Sequence, residues 1–184
     1  MIAGQAFMID AALESAERPQ AAAFDEILRL HERKVLMTAW RLLGHWEDAQ
    51  DAAQEVFVRM HKYRAHLDQG RDLAPWLYRT TVNVCRDLYR RRRPDSELDD
   101  AAPDPAAGPD EQARHAEARR ILHAALARLS QKERTAVVLR DLEGLTAAEV
   151  AAILGITEAT VRSHLSNARL KIMKLTERFR RERA

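Results

Sequence analysis

Between Pro94 and Glu111 the chain reads PDSELDDAAPDPAAGPDE, with prolines at 94, 103, 105 and 109, seven acidic residues and no basic one. Proline fixes φ and removes a backbone donor, and the stretch has no periodic apolar residue from which to build a core. Whatever packs in this chain must therefore pack on either side of it. The flanks carry the opposite charge. Residues 24–93 hold 14 Lys/Arg against 10 Asp/Glu, and residues 112–184 hold 15 against 8. The formal net charge of +2 thus conceals two basic modules joined by a flexible acidic tether. Fully extended, its 18 residues span roughly 60 Å at about 3.3–3.6 Å each, enough to hold the modules at separate points of a long ligand.

Residues 1–23 are alanine-rich and uneven in pattern, which predicts a short extension with no assigned role. From Phe24 the periodicity is helical: Phe24, Ile27, Leu28, His31, Val35, Ala39, Leu42 and Leu43 share one broad face, and Gly44 stops the run. A second helix begins near Glu47 and Asp48, whose carboxylates suit the positive end of the helix dipole. It buries Ala52, Ala53, Val56, Phe57 and Met60 and turns Gln50, Asp51, Gln54 and Glu55 outward. The polar run from His66 to Asp72 predicts a loop. A third helix follows, with Pro75 in its first turn, a stripe of Leu77, Thr81, Val84 and Leu88, and Arg79, Asn83, Arg86 and Arg90 largely on other faces.

Beyond the tether, helical patterning resumes over Ala113–Leu129. Two S/T-x-x-E spacings then follow, Ser130 with Glu133 and Thr146 with Glu149, each able to satisfy orphan backbone N–H groups at a helix start. Gly155 suits a tight turn, Thr157 can cap what comes next, and Val161, Leu165, Ala168, Ile172 and Leu175 recur at steps of three and four. Thr146–Leu175 is therefore a helix-turn-helix. At about 100° per residue, the side of the second helix away from the apolar stripe presents Ser163, Ser166, Asn167 and Lys174, flanked by Arg162, His164, Arg169 and Lys171. Such side chains can bond phosphates and read base edges in a major groove. No strand pattern stands out, so the expected fold is all-α: two small helical domains, 24–93 and 112–184, around the linker 94–111.

Catalytic chemistry finds no motif. The histidines at 31, 45, 61, 66, 115, 123 and 164 form no H-E-x-x-H, and no glycine-rich phosphate loop is present, so neither a metal nor another cofactor is expected. Cys85 is the single cysteine, which excludes an internal disulfide. It falls near the buried stripe of its helix and reads as a small core residue; a redox role would require exposure and a lowered pKa. The first ten residues lack a basic n-region, and nowhere do 18 apolar residues run together, so a cytoplasmic protein without a membrane span is expected.

Two blocks carry a resemblance. DAQDAAQEVFVRMHK (Asp48 to Lys62) with WLYRTTVNVCRDLYRRRR (Trp76 to Arg93) is similar to region 2 of the sigma-70 family. LSQKERTAVVLRDLEGLTAAEVAAILGITEATVRSHLSNARLKI (Leu129 to Ile172) is similar to region 4. Their order around an acidic linker resembles an extracytoplasmic-function (ECF) sigma factor. The resemblance implies a non-enzymatic subunit that binds core RNA polymerase, recognises the −10 and −35 promoter elements and helps melt DNA. It would set Asp51, Gln54 and Glu55 against the clamp of the largest polymerase subunit, although the same residues also suit a plain solvated helix face. It would set Arg71, Trp76, Arg79, Asn83, Arg86 and Arg90 at the −10 element. Trp76 has two readings, a stacking platform for a base or a core side chain beside Pro75, and its position favours the second. Arg162, Ser163, His164, Ser166, Asn167, Arg169 and Lys171 would lie at the −35 element. His164 and Asn167 stand where many relatives have arginine, which favours adenine reading by Asn167 over an arginine–guanine contact. Leu170 projects outward without a DNA-reading role. The resemblance also implies an anti-sigma partner. The competing reading is a helix-turn-helix transcriptional regulator with a helical N-terminal sensor domain; a receiver-type sensor would alternate strands with helices, and residues 24–93 do not.

Overall fold

A computed structural model describes residues 26–63, 72–91 and 121–182, with side chains to residue 177. The extension 1–23, the linker 94–111, Phe24 and Arg71 lie outside the described residues. Every element among those described is helical. Residues 26–43 form α1, followed by α2 (Trp46–Tyr63) and α3 (Ala74–Arg91). After the linker come α4 (121–127), α5 (Gln131–Val137), a π turn (Val138–Leu142), α6 (Ala147–Leu154) and α7 (Glu158–Glu182).

The helix boundaries follow the local chemistry. Both capping boxes form: Ser130 and Glu133 start α5, and Thr146 and Glu149 start α6. Gly155 ends α6 at φ 66°, in the left-handed region that glycine enters without steric cost. Thr157 Oγ1 then accepts from Thr160 N at 3.2 Å to open α7. Asp72 Oδ1 accepts from Ala74 N at 2.9 Å at the start of α3. The end of α5 is irregular: the Glu143 N–H bonds to the Val138 carbonyl at 2.9 Å, five residues back, and widens the last turn.

In the N-terminal half, α1, α2 and α3 bury Val35, Ala39, Leu43, Ala52, Val56, Met60, Leu77, Thr81 and Val84. These include most of the expected stripes. In the C-terminal half, Val161, Leu165 and Ala168 of α7 pack with Val150, Ala151 and Ile153 of α6 and Ala136 to Leu139 of α5 and its π turn.

The sequence leaves the arrangement of the two halves open. In the structure they touch, α3 packing on α6, and their buried apolar residues form one continuous cluster. That contact explains burial that a single stripe does not. Thr38, Trp40, Tyr78, Val82 and Cys85 are all buried although they fall beside the stripes of α1 and α3. These helices have a second covered flank. Trp40 stacks on His123 with ring centroids 4.6 Å apart, and the Arg134 guanidinium donates 2.9 Å bonds to the Leu126 and Leu42 carbonyls.

Candidate polymerase and promoter interfaces

The first candidate surface lies on α2. Burial of Ala49, Ala52, Ala53, Val56 and Met60 on one side leaves Asp51, Gln54 and Glu55 exposed together on the other. Glu55 is paired with Arg59 at 2.8 Å, an exposed i,i+4 contact of small energetic weight. Sequence patterning missed Val58, which is 47% exposed three residues beyond Glu55 and adds an apolar side chain at the end of this acidic face. Its signal is present in the sequence, a branched apolar residue off the buried stripe.

The second surface is the flank of α3. Arg86 and Arg90 are exposed, Asn83 is half-buried and Arg79 is exposed. Arg79 donates through Nη2 to the Ala152 carbonyl, one of the terminal carbonyls of α6 that lack an intrahelical partner. Arg86 and Arg90 line a groove of about 290 Å³ together with Tyr89, Lys132, Thr160 and His164, over a floor that includes Val82, Cys85, Leu154 and Ile156. Trp76 is half-buried and packs against the core cluster, in keeping with the packing reading of its position. Cys85 is buried, and burial raises its thiol pKa, the opposite of what a redox-active thiol needs.

The third surface is the outer side of α7. Ser163, Ser166 and Asn167 are exposed next to one another, while His164 is half-buried and turns into the groove beside Arg86. Three cations on this helix are engaged within the chain. Arg162 pairs with Glu158 at 3.2 Å and Arg169 with Asp141 at 2.9 Å, both well exposed. Lys171 differs, because its ammonium meets both carboxylate oxygens of Glu133, at 2.7 and 2.9 Å, and that carboxylate is buried. The lysine contact, above all, holds the Glu133 carboxyl below its ordinary range. Lys171 therefore fixes α7 on α5, a task its spacing did not reveal. Leu170 and Met173 are exposed.

Among the described residues, no cluster of His, Cys, Asp or Glu is arranged to hold a metal, and no helix is long and apolar enough to cross a membrane. The sigma-70 region 2 family model matches residues 27–94, and the sigma-70 region 4 model matches residues 119–172. The chain belongs to the sigma-70 family.

Several of its relatives in that family carry the ECF designation. The chain is 35% identical over 170 residues to the ECF RNA polymerase sigma factor SigE of Mycolicibacterium smegmatis, covering 90% of this chain and 65% of SigE. It is 32% identical over 155 residues to the ECF sigma factor SigM of Mycobacterium tuberculosis, covering 83% of this chain and 76% of SigM. Among solved structures, CnrH in complex with the cytosolic domain of CnrY superposes with a TM-score of 0.63 at 28% identity, over 85% of this chain and 89% of CnrH. In sigma-70 terms, α1 to α3 are region 2 and α4 to α7 are region 4.

Proposed function

We propose that this chain is an ECF sigma factor acting in the cytoplasm, which binds core RNA polymerase, recognises −10 and −35 elements and promotes duplex melting in transcription initiation. The observation that carries the reading is the presence of both sigma-70 regions in one chain, in order, with a region 4 helix that exposes Ser163, Ser166 and Asn167 along its outer side. It acts as a binding subunit; the chemistry of RNA synthesis belongs to the polymerase.

Each surface takes a part. The face of Asp51, Gln54 and Glu55 is exposed and net acidic, suited to a basic patch on the polymerase clamp, with Val58 supplying apolar contact. Arg86 and Arg90 offer charge to the phosphates of the −10 strand, Asn83 offers an amide to a base edge, and Arg79 and Arg71 complete the cationic set. Trp76 supports this surface from within its packing. On α7, Asn167 reads a base, Ser163 and Ser166 contact base edges or phosphates, and Arg162, Arg169 and His164 add charge; the exposed pairs of Arg162 and Arg169 are weak enough to exchange for phosphate contacts. An anti-sigma factor that covers these surfaces is the protein partner this reading calls for; CnrH is itself bound to a protein, the cytosolic domain of CnrY.

A reconstituted run-off assay tests the function. Purified chain and core polymerase should give a promoter-dependent transcript from a genomic fragment library, and neither component alone should do so. Absence of any such transcript would overturn the reading.

A further inference from the structure

The side chain of Glu143 is only 6% exposed, and the side chains that donate to it belong to the other half of the molecule. Its Oε1 accepts from Arg41 Nη1 at 2.6 Å and Thr38 Oγ1 at 3.0 Å, and its Oε2 accepts from the Tyr78 hydroxyl at 3.0 Å. All three donors stand in region 2, on α1 and α3, whereas Glu143 closes the π turn of region 4. Burial, and then the Glu143 charge, push the Tyr78 hydroxyl pKa upward, so it stays a donor. The Lys34 ammonium sits over the Tyr78 ring, 5.1 Å from its centroid. Nearby, Arg134 crosses in the opposite direction to the Leu42 carbonyl at the end of α1. The carboxylate thus has a full set of partners only while the two regions are closed on each other.

That closed arrangement is incompatible with the promoter complex. Promoter elements named −10 and −35 lie roughly 25 base pairs apart, on the order of 85 Å at about 3.4 Å per pair. In the structure α3 packs directly on α6, Arg79 is occupied by the Ala152 carbonyl, and Arg86 and Arg90 share one groove with His164 of the reading helix. A chain in this state cannot lay its two reading surfaces on two separated elements. We infer that Glu143 is an interdomain latch: with Thr38, Arg41 and Tyr78 it holds the free chain in a closed form that binds DNA poorly, and engagement of polymerase and promoter draws the two regions apart. The inference rests on the sigma-factor reading for what the opening is for, though the latch itself is a property of the chain alone.

The test uses the full chain without polymerase. Solution scattering reads compactness, and anisotropy reads affinity for a labelled random-sequence duplex, since phosphate contacts carry non-specific binding. Glu143→Ala should enlarge the radius of gyration. If the open form is a minor state below about 10%, fully releasing it tightens the apparent duplex affinity by about tenfold or more. Tyr78→Phe removes one donor and keeps the ring, so it should move both readings the same way by a smaller amount. A misfolded variant would lose duplex binding, so a gain cannot come from failed folding. Both variants remaining as compact as the parent, or opening without a gain in duplex affinity, would overturn the latch. Opening with tighter binding supports it even if no variant, nor the parent, yields a transcript with core polymerase; that result would overturn the sigma-factor reading alone.

Discussion

Among the described side chains of α7, Lys171 forms the one ion pair whose carboxylate is buried, with Nζ 2.7 Å from Glu133 Oε2. Glu133 is at the same time the acid of the capping box that starts α5, accepting from Ser130 N at 2.8 Å. One side chain therefore couples the start of α5 to the rotation of α7. Lys171→Ala leaves that carboxylate without its cation. Because the lysine end is about half-exposed, screening limits the loss to about 1 kcal/mol. Thermal melting should show it, with a loss of duplex affinity that is uniform across sequences.

The same pair sets a pH dependence. The Glu133 carboxyl lies below its ordinary value near 4.5, first through Lys171 and then through the Ser130 backbone and hydroxyl, against the opposing effect of burial. A depressed carboxyl contributes stability that is complete above its unfolded value and is lost as pH falls through the folded one. Melting temperature should therefore decline below about pH 4.5 in the parent. In Lys171→Met the part of that decline due to Glu133 should shrink, which parallel melts from pH 7 to 3 would show.

Asn167 is the base reader in the proposed −35 contact, whereas Arg162, whose pair with Glu158 is weak, is a phosphate contact. Asn167→Ala should change preference at one base position by about 1–3 kcal/mol. Arg162→Ala should weaken all sequences alike and lower the salt slope by about 1. Binding of the holoenzyme to a duplex library at two salt concentrations separates the two behaviours.

Gly155 has φ 66°, and a Cβ built there would meet nothing within 4 Å. The cost of Gly155→Ala is thus backbone strain alone, about 1–2 kcal/mol, read as a lower melting temperature without a change in duplex preference.

Cys85 is buried on the floor of the groove between the regions, and burial raises its pKa. N-ethylmaleimide at pH 8 should modify it slowly in the native chain and fully in guanidinium, as followed by intact mass. Fast native modification would show that the groove opens readily.

Local chemistry made much of this fold legible in the sequence. The boxes at Ser130–Glu133 and Thr146–Glu149, the turn at Gly155 and the stripe of Val161, Leu165 and Ala168 each depend on residues a few positions apart, and each appears where the spacing puts it. The partners of Glu143 do not share that property. Thr38, Arg41 and Tyr78 are separated from it by 105, 102 and 65 residues, and no periodicity links positions across such distances. Trp40 and Cys85 are buried for the same long-range reason, on flanks that a single-stripe reading leaves uncovered. The reading surfaces were legible as types of residue. That Arg79 would rest on α6 and Lys171 on Glu133 was not, because charge patterning identifies available cations without naming the oxygen each one meets.

The π turn at Val138–Leu142 gives the molecule a matter of angular phase. A regular α-helix advances about 100° per residue, so accommodating one extra residue in a turn offsets everything beyond it by roughly that angle relative to an uninterrupted helix. Glu143 is the first residue past the turn, and the bearing of its carboxylate toward region 2 depends on that offset. Deleting a single residue between Val138 and Leu142 would restore α register and swing the carboxylate away from Arg41 and Tyr78 without altering the chemistry of either partner. Length, counted to the residue, is as much a determinant of closure here as charge.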